Sequence, residues 1–135
     1  MIKLRIVSKL DHHFLYNLLK ERDPKANISH KRMPTFDEHV DFVSSKPYAY
    51  WYVIEYNGKK SGSVYLSKNN EIGIFLKKSF QGKNIGHTAL ELLIKKTNES
   101  RYLANVNPKN KKSLEFFKNN GFKIIQHTFE LIKEN

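Results

Sequence analysis

Apolar and polar positions alternate at the start of the chain, with Ile2, Leu4 and Ile6 on one side and Lys3, Arg5 and Val7 on the other. That period of two predicts a half-buried strand. The interval then lengthens. Phe14, Leu15, Leu18 and Leu19 share one face of a helix predicted from about Lys9 to Arg22, which leaves His12, His13 and Lys20 in solvent and ends at Asp23-Pro24. Thr35 and Glu38 have the spacing of a capping box, so a second helix is predicted to begin there and to end before Pro47. From Tyr48 to Leu66, aromatic and β-branched residues flank Asn57-Gly58, a pair suited to the positive φ angles of a tight hairpin turn. Asn69-Asn70 predicts the next turn and Glu71 to Leu76 the next strand.

Between Asn84 and Thr97 the apolar residues Ile85, Ala89, Leu90, Leu92, Leu93 and Ile94 make a broad helical stripe, as expected of a helix packed on a sheet. A short strand, Tyr102 to Val106, and a turn at Asn107-Pro108 come next. Asn110 caps a helix carrying Leu114, Phe116 and Phe117, which Gly121 stops by supplying a left-handed residue. Phe122 to Gln126 and Thr128 to Ile132 are predicted as two closing strands. The order is thus strand, two helices, a three-strand meander, helix, strand, helix and two strands. It predicts an α+β fold in one domain spanning residues 1–135: a mixed sheet, mostly antiparallel, with helices on both faces.

Composition narrows the chemistry. The 135 residues suffice for one core, and the absence of cysteine excludes disulfides, thiolate metal sites and a cysteine nucleophile. A cytoplasmic location is expected, because the first residues lack the long apolar run of a signal peptide and no segment has membrane-spanning length. No membrane partner is expected. The six histidines show no metal-ligand spacing, so no metal is expected either. With 24 basic and 13 acidic residues the net charge is +11, which favours anionic ligands. Twenty of the basic residues are lysines scattered along the chain, which fits a solvated surface better than nucleic-acid readout by arginine forks.

The most informative stretch runs from Glu71 through Gln81-Gly82-Lys83-Asn84-Ile85-Gly86-His87, an apolar strand leading by a glycine-bearing turn into an amphipathic helix. Main-chain amides at such a turn converge on one concavity, and the helix N-terminus adds about half a positive charge, so a diphosphate can be held there. A Cβ at Gly82 or Gly86 would obstruct the anion or the required φ. The other reading is that the two glycines merely make a tight strand-to-helix connection. The Walker lysine and the GxGxxG pattern are both missing.

This segment resembles the acetyl-CoA-binding motif of GNAT N-acetyltransferases: Gln or Arg, two residues, Gly, any residue, then Gly or Ala, read here from Gln81 to Gly86. A second signature of the family lies downstream, with Asn107, Asn110, Ser113, Phe117, Gly121 and Phe122 in register. The resemblance covers most of the chain, excepting about Lys9 to Lys46, and implies a GNAT-like fold and an acyltransferase that uses acetyl-CoA as co-substrate. It implies that the backbone of Ile74, Phe75 and Leu76 pairs with the pantetheine arm. Amides of Gly82, Lys83, Asn84, Ile85, Gly86 and His87 would hold the pyrophosphate, with Gln81 also counted among the cofactor-binding residues, and Asn110 and Phe117 would line the thioester end.

There are two departures from the family pattern. Asn84 replaces the first glycine of the turn and tolerates left-handed φ better than most residues. Phe117 stands where many relatives carry a tyrosine proposed to protonate the departing thiolate, and phenylalanine has no such proton. By resemblance Glu71 is the candidate general base, working through water on the attacking amine; its plain alternative is a solvated strand-end charge. Glu55, Tyr65, His127 and Glu130 are weaker candidates that read rather as ordinary strand residues, and Trp51 reads rather as core packing than as a substrate platform. The acceptor expected is a primary amine on a small molecule, with an amino-sugar nucleotide suggested by the Asn110 to Phe122 segment and by the surface charge. The alternatives are a protein N-terminus or lysine, a CoA-binding fold without catalysis, and a basic nucleic-acid-binding module. Oligomeric state is open, with a homodimer among the options.

Overall fold

A computed structural model of the chain describes residues 1–22 and 33–133. Strand β1 (Ile2–Ile6) leads through a 3₁₀ turn (Lys9–Asp11) into α1 (His12–Glu21), and α2 (Phe36–Ser44) follows. Next come β2 (Tyr50–Tyr56), β3 (Lys59–Leu66), β4 (Glu71–Leu76), a 3₁₀ turn (Lys78–Phe80), α3 (Ile85–Thr97), β5 (Leu103–Ala104) and α4 (Lys111–Asn119). Among the described residues the strands form one sheet in chain order, antiparallel except for the parallel β4–β5 pair. This is the mixed α+β sheet that the sequence order predicts.

Local signals account for most element ends. Thr35 Oγ1 accepts from the Glu38 amide at 3.1 Å while Glu38 Oε1 accepts from the Thr35 amide at 2.8 Å, so both capping-box bonds are made. Asn57 and Gly58 hold φ of 50° and 81°, which lets β2 and β3 pair with only two residues between them. Gly121, at φ 89°, stops α4.

Register divides the sheet into two faces. Leu4 pairs with Ile54, and on the same face of the sheet Tyr52, Val64, Leu66 and Ile72 pack beneath Ile85, Ala89, Leu90 and Leu93 of α3. Val53, one residue along from Ile54, points the other way and is fully buried. Leu15 and Leu18 of α1 and Val43 of α2 are buried apart from the α3 cluster, and α1 packs on β3.

A buried carboxylate ties the N-terminal elements together. Asp11 has no exposed surface; Arg5 Nη2 of β1 and Lys60 Nζ of β3 each lie 2.8 Å from its Oδ1, and the Ser8 amide donates to Oδ2 at 2.8 Å. Burial pushes this carboxyl upward, but the hydrogen bonds from Arg5 and Lys60 outweigh it and hold the group well below the usual carboxylate range.

Three expectations need correction. Residues 122–133 carry no strand, although Phe122 to Gln126 and Thr128 to Ile132 have the pattern for two. Alternation prepares a segment for pairing, but a strand forms only where an edge receives it, and here Ile124, Ile125, Phe129, Leu131 and Ile132 are exposed. Strand β5 is two residues long rather than Tyr102 to Val106, because its partner β4 diverges from it. His12 is half-buried rather than solvated. The predicted helix stop at Asp23-Pro24 lies outside the described residues.

Replacing Asp11 by Asn is expected to destabilise the fold by about 1–2 kcal/mol, since Arg5 and Lys60 lose the buried charge that balances them while water, which already reaches both, limits the cost. Urea unfolding measures this. The carboxyl titrates lower folded than its ordinary 3.8. Its contribution is therefore complete above about pH 4 and is lost as pH falls through the folded value, so the difference between wild type and Asp11→Asn should shrink on acidification.

Candidate active site

Strands β4 and β5 pair at only two positions, Glu71 with Leu103 and Ile72 with Ala104. Past Ile72, β4 continues its ladder with β3 on one side, but no described strand pairs with the other side of Gly73 to Leu76. The two strands part there and a groove of about 1020 Å³ opens. Ile74, Phe75 and Leu76 form one wall, and Leu18, Glu21 and Arg22 from the end of α1 approach from another. Its far end is made by the turn into α3, with Gln81, Gly82, Asn84, Ile85, Gly86 and His87, and by the start of α4 from Lys109 to Ser113.

The turn has the backbone that an anion site needs. Gly82 has φ 80° and open space where a Cβ would lie, so conformation rather than crowding demands glycine. Asn84 is left-handed at φ 62° and makes no side-chain cap to α3. The first-turn amides of α3 therefore meet the groove without a capping side chain, at the positive end of a 13-residue helix. Gly86 lines the groove and also carries a packing constraint. It lies within α3, and an added Cβ would come within 3.1 Å of Phe116 Cε1, so this glycine permits close approach of α3 to α4.

His87 strengthens the same junction: Nδ1 contacts Asn120 Oδ1 at the end of α4 and Nε2 contacts the Glu91 carboxylate one turn on. Asn120 Nδ2 in turn donates to Phe116 O at 2.7 Å. Gln81 Nε2 donates to Leu76 O at 3.3 Å, joining the turn to the end of β4. Lys83 is exposed and does not line the groove.

Other candidates fall in varied places. Asn110 lines the groove, with Oδ1 accepting from the Ser113 amide at 3.2 Å as the cap of α4. Phe117 is buried between Phe116 and Phe122, each ring centroid 5.1 Å away, and Phe116 is the residue that borders the groove. Glu71 sits at the head of β4, accepting from Asn105 Nδ2 at 2.6 Å and from Ser67 Oγ at 3.4 Å, just before the strands part. It is not among the lining residues. Glu55 is paired with Arg5 at 3.0 Å, and His127 and Glu130 lie in the exposed C-terminal segment.

Arg22 and the lysines around α4 were missed by the sequence reading. The Arg22 guanidinium lies 4.0 Å from the centroid of the Phe75 ring, and burial pulls its pKa down. Beside Phe75, Tyr65 stacks on Tyr48 at 3.7 Å, and Trp51 packs edge-on against Tyr48 at 4.8 Å. Burial pushes both tyrosine hydroxyls up, so each keeps its proton at neutral pH. Lys109, Lys111 and Lys112 carried a readable signal as a basic cluster at a helix start, whereas Arg22 is brought to Phe75 only by the fold.

With this groove in place, the comparisons with known proteins become specific. A family model described as the acetyltransferase (GNAT) family matches residues 12–122, and the chain belongs to that family. It is accordingly an acyltransferase of the GNAT class. A solved domain from Methanocaldococcus jannaschii is 26% identical with a TM-score of 0.80, covering 96% of this chain and 93% of that one. YncA from Salmonella typhimurium, solved with its cofactor acetyl-CoA, is 18% identical with a TM-score of 0.73, covering 90% and 79%. The spermidine/spermine N-acetyltransferase SpeG from Vibrio cholerae is 21% identical with a TM-score of 0.78, covering 99% and 86%. At such identities the last two show a shared fold. Comparison with curated proteins returns no match.

The left-handed turn can be tested separately from the chemistry. Asn84→Gly should keep both fold and thermal midpoint, because glycine adopts φ 62° freely. Asn84→Val should cost about 1–2 kcal/mol, since a β-branched residue resists that conformation. Thermal melting of the two variants distinguishes the outcomes.

Proposed function

We propose that the chain transfers the acetyl group of acetyl-CoA to a primary amine on a small molecule that also bears an anionic group, an amino-sugar nucleotide being the foremost candidate. The observation that carries this reading is the charge of the groove. Arg22, Lys78, Lys109, Lys111 and Lys112 line it, against the single carboxylate of Glu21, which already accepts from the Lys78 amide at 2.9 Å. The lysines at the start of α4 suit the phosphates of the co-substrate, whereas Arg22, held on Phe75 on the α1 wall, disfavours a polycationic acceptor, and a protein lysine would find little to balance its charge. An acceptor with a phosphate or carboxylate would be drawn in.

Each part of the groove suits a part of the co-substrate. The unpaired edge of β4 offers amides and carbonyls to an extended chain of amide groups, as a further strand would. Uncapped amides at the start of α3, with lysines opposite, suit a diphosphate. Acetyl-CoA supplies the activated acyl group, so the protein's own task is to orient the amine, remove its proton and stabilise the oxyanion. Glu71 is the proposed base, reaching the amine through water from the point where β4 and β5 part. Phe117 donates no proton, and the thiolate can leave unprotonated because its pKa is far below that of an alkoxide.

Acetyl-CoA should raise the melting temperature more than ATP does, because a ligand held by the native state alone stabilises it. Charge reversal at Lys111 and Lys112 together should weaken that binding about tenfold, equivalent to about 1.4 kcal/mol. Glu71→Gln should lower kcat by about a hundredfold or more with little change in the melting shift. Turnover is then compared on amino-sugar nucleotides, spermidine and peptides; preference for spermidine would refute the anionic-acceptor reading.

A further inference from the structure

We infer that a second ligand site lies at the β1 edge of the sheet, in a cavity of about 450 Å³ bounded by the end of β1, the start of α1, the end of α2 and the start of β2. It takes a small ring-bearing anion, a carboxylate or phosphate carried on an aromatic ring. No residue lining this cavity lines the groove. A row of rings stands between them: Trp51 meets Tyr48 edge-on at 4.8 Å, Tyr48 stacks on Tyr65 at 3.7 Å, and Tyr65 lies 6.4 Å from Phe75 of the groove wall.

The floor of the cavity is apolar and partly aromatic. Trp51 and Tyr48 contribute rings, Val43 is buried there, and Ile6 is 73% exposed, so an occupant would cover it. Charge around this floor has one sign. Lys9, from the 3₁₀ turn before α1, and Lys46, just after α2, both line the cavity, and its lining holds no aspartate or glutamate. Neither lysine is paired with a carboxylate among the described residues. Two ammonium groups at one concavity repel each other, and an anion between them relieves that repulsion.

The backbone adds a separate observation. Lys46 holds φ 51°, in the left-handed region that lysine rarely adopts, while its amide donates to Val43 O at 3.2 Å. Strain of this kind persists where the surrounding structure enforces it, and it gathers at ligand sites. Unmet hydrogen bonding points the same way. Trp51 Nε1 and His12 Nδ1 belong to residues of the lining, and both atoms are buried without a hydrogen-bond partner among the described residues. The indole nitrogen can only donate, so the partner it lacks is an acceptor. A hydrated inorganic anion would use the lysines alone and a neutral ring the floor alone. An aromatic ring bearing a carboxylate or phosphate uses both.

Trp51 is the only tryptophan in the chain, so its fluorescence reports on this cavity. Titration with benzoate and with phenyl phosphate should change it saturably, the tighter of the two identifying the head group. Benzamide and inorganic phosphate should each bind at least about tenfold more weakly, and saturating acetyl-CoA should leave the benzoate curve in place. Lys9→Glu with Lys46→Glu should weaken both aromatic anions by about tenfold or more. Lys46→Gly guards against a folding failure of that double variant: glycine adopts φ 51° freely, so this variant should melt no lower than wild type and still bind the anions more weakly. Four results would each overturn the inference: no saturable change with either probe up to about 10 mM, benzamide binding as well as benzoate, affinity untouched by charge reversal, or displacement by acetyl-CoA, which would place the anion in the groove. None of these arms measures acetyl transfer, so failure here leaves the proposed reaction standing.

Discussion

Strand β4 is hydrogen-bonded along its whole length to β3 and for only two residues to β5. The peptide groups beyond Ile72 on the second side still need partners, because a buried amide or carbonyl left unpaired is costly. Within the described fold they face a groove rather than a neighbouring strand, so water or an incoming ligand must supply those bonds. The ladder with β3 holds this edge straight while it waits, and α3 begins where β4 has led the chain to the groove's far end. One interruption in strand pairing therefore fixes the groove's wall, its direction and the placement of its positive end.

Much of this was legible because it depends on short-range rules. A capping box, an Asn-Gly turn and a left-handed stop each report on a few consecutive residues, and Thr35, Asn57-Gly58 and Gly121 appear in the structure as those rules require. The strand-to-helix turn was legible for the same reason, down to the tolerance of Asn84 for its φ. Long-range matters were not. Gly86 could be read as a glycine, but only the structure shows Phe116 lying against it from a helix about thirty residues further on. Nor could spacing bring Arg22 onto Phe75, or Lys60 and Arg5 onto Asp11, since each pairing depends on sheet register and helix placement.

Those unread contacts are also the ones that join scaffold to site. Asp11 links β1 and β3 at the start of α1, and α1 carries Leu18, Glu21 and Arg22 to the groove at its other end. The helix thus transmits a fixed point beneath the sheet to the wall beside Phe75. On that wall, Arg22 keeps its charge against an aromatic ring while the neighbouring tyrosines stay neutral, giving a surface that is apolar and cationic at once. Such a surface favours a flat or ring-bearing anion over a freely hydrated cation, because the ring recovers contact area while the charge finds its complement.

Two of the open edges of this sheet, beside β4 and beside β5, differ in what could fill them. The edge of β4 is bordered by lysines and an uncapped helix start, so a strand of protein laid there would place its carbonyl dipoles and any acidic side chains among groups suited to phosphate. The edge of β5 is only two residues long, Leu103–Ala104, and among the described residues no strand lies beyond it. Strand pairing is indifferent to which chain supplies the partner; side chains and local charge decide it.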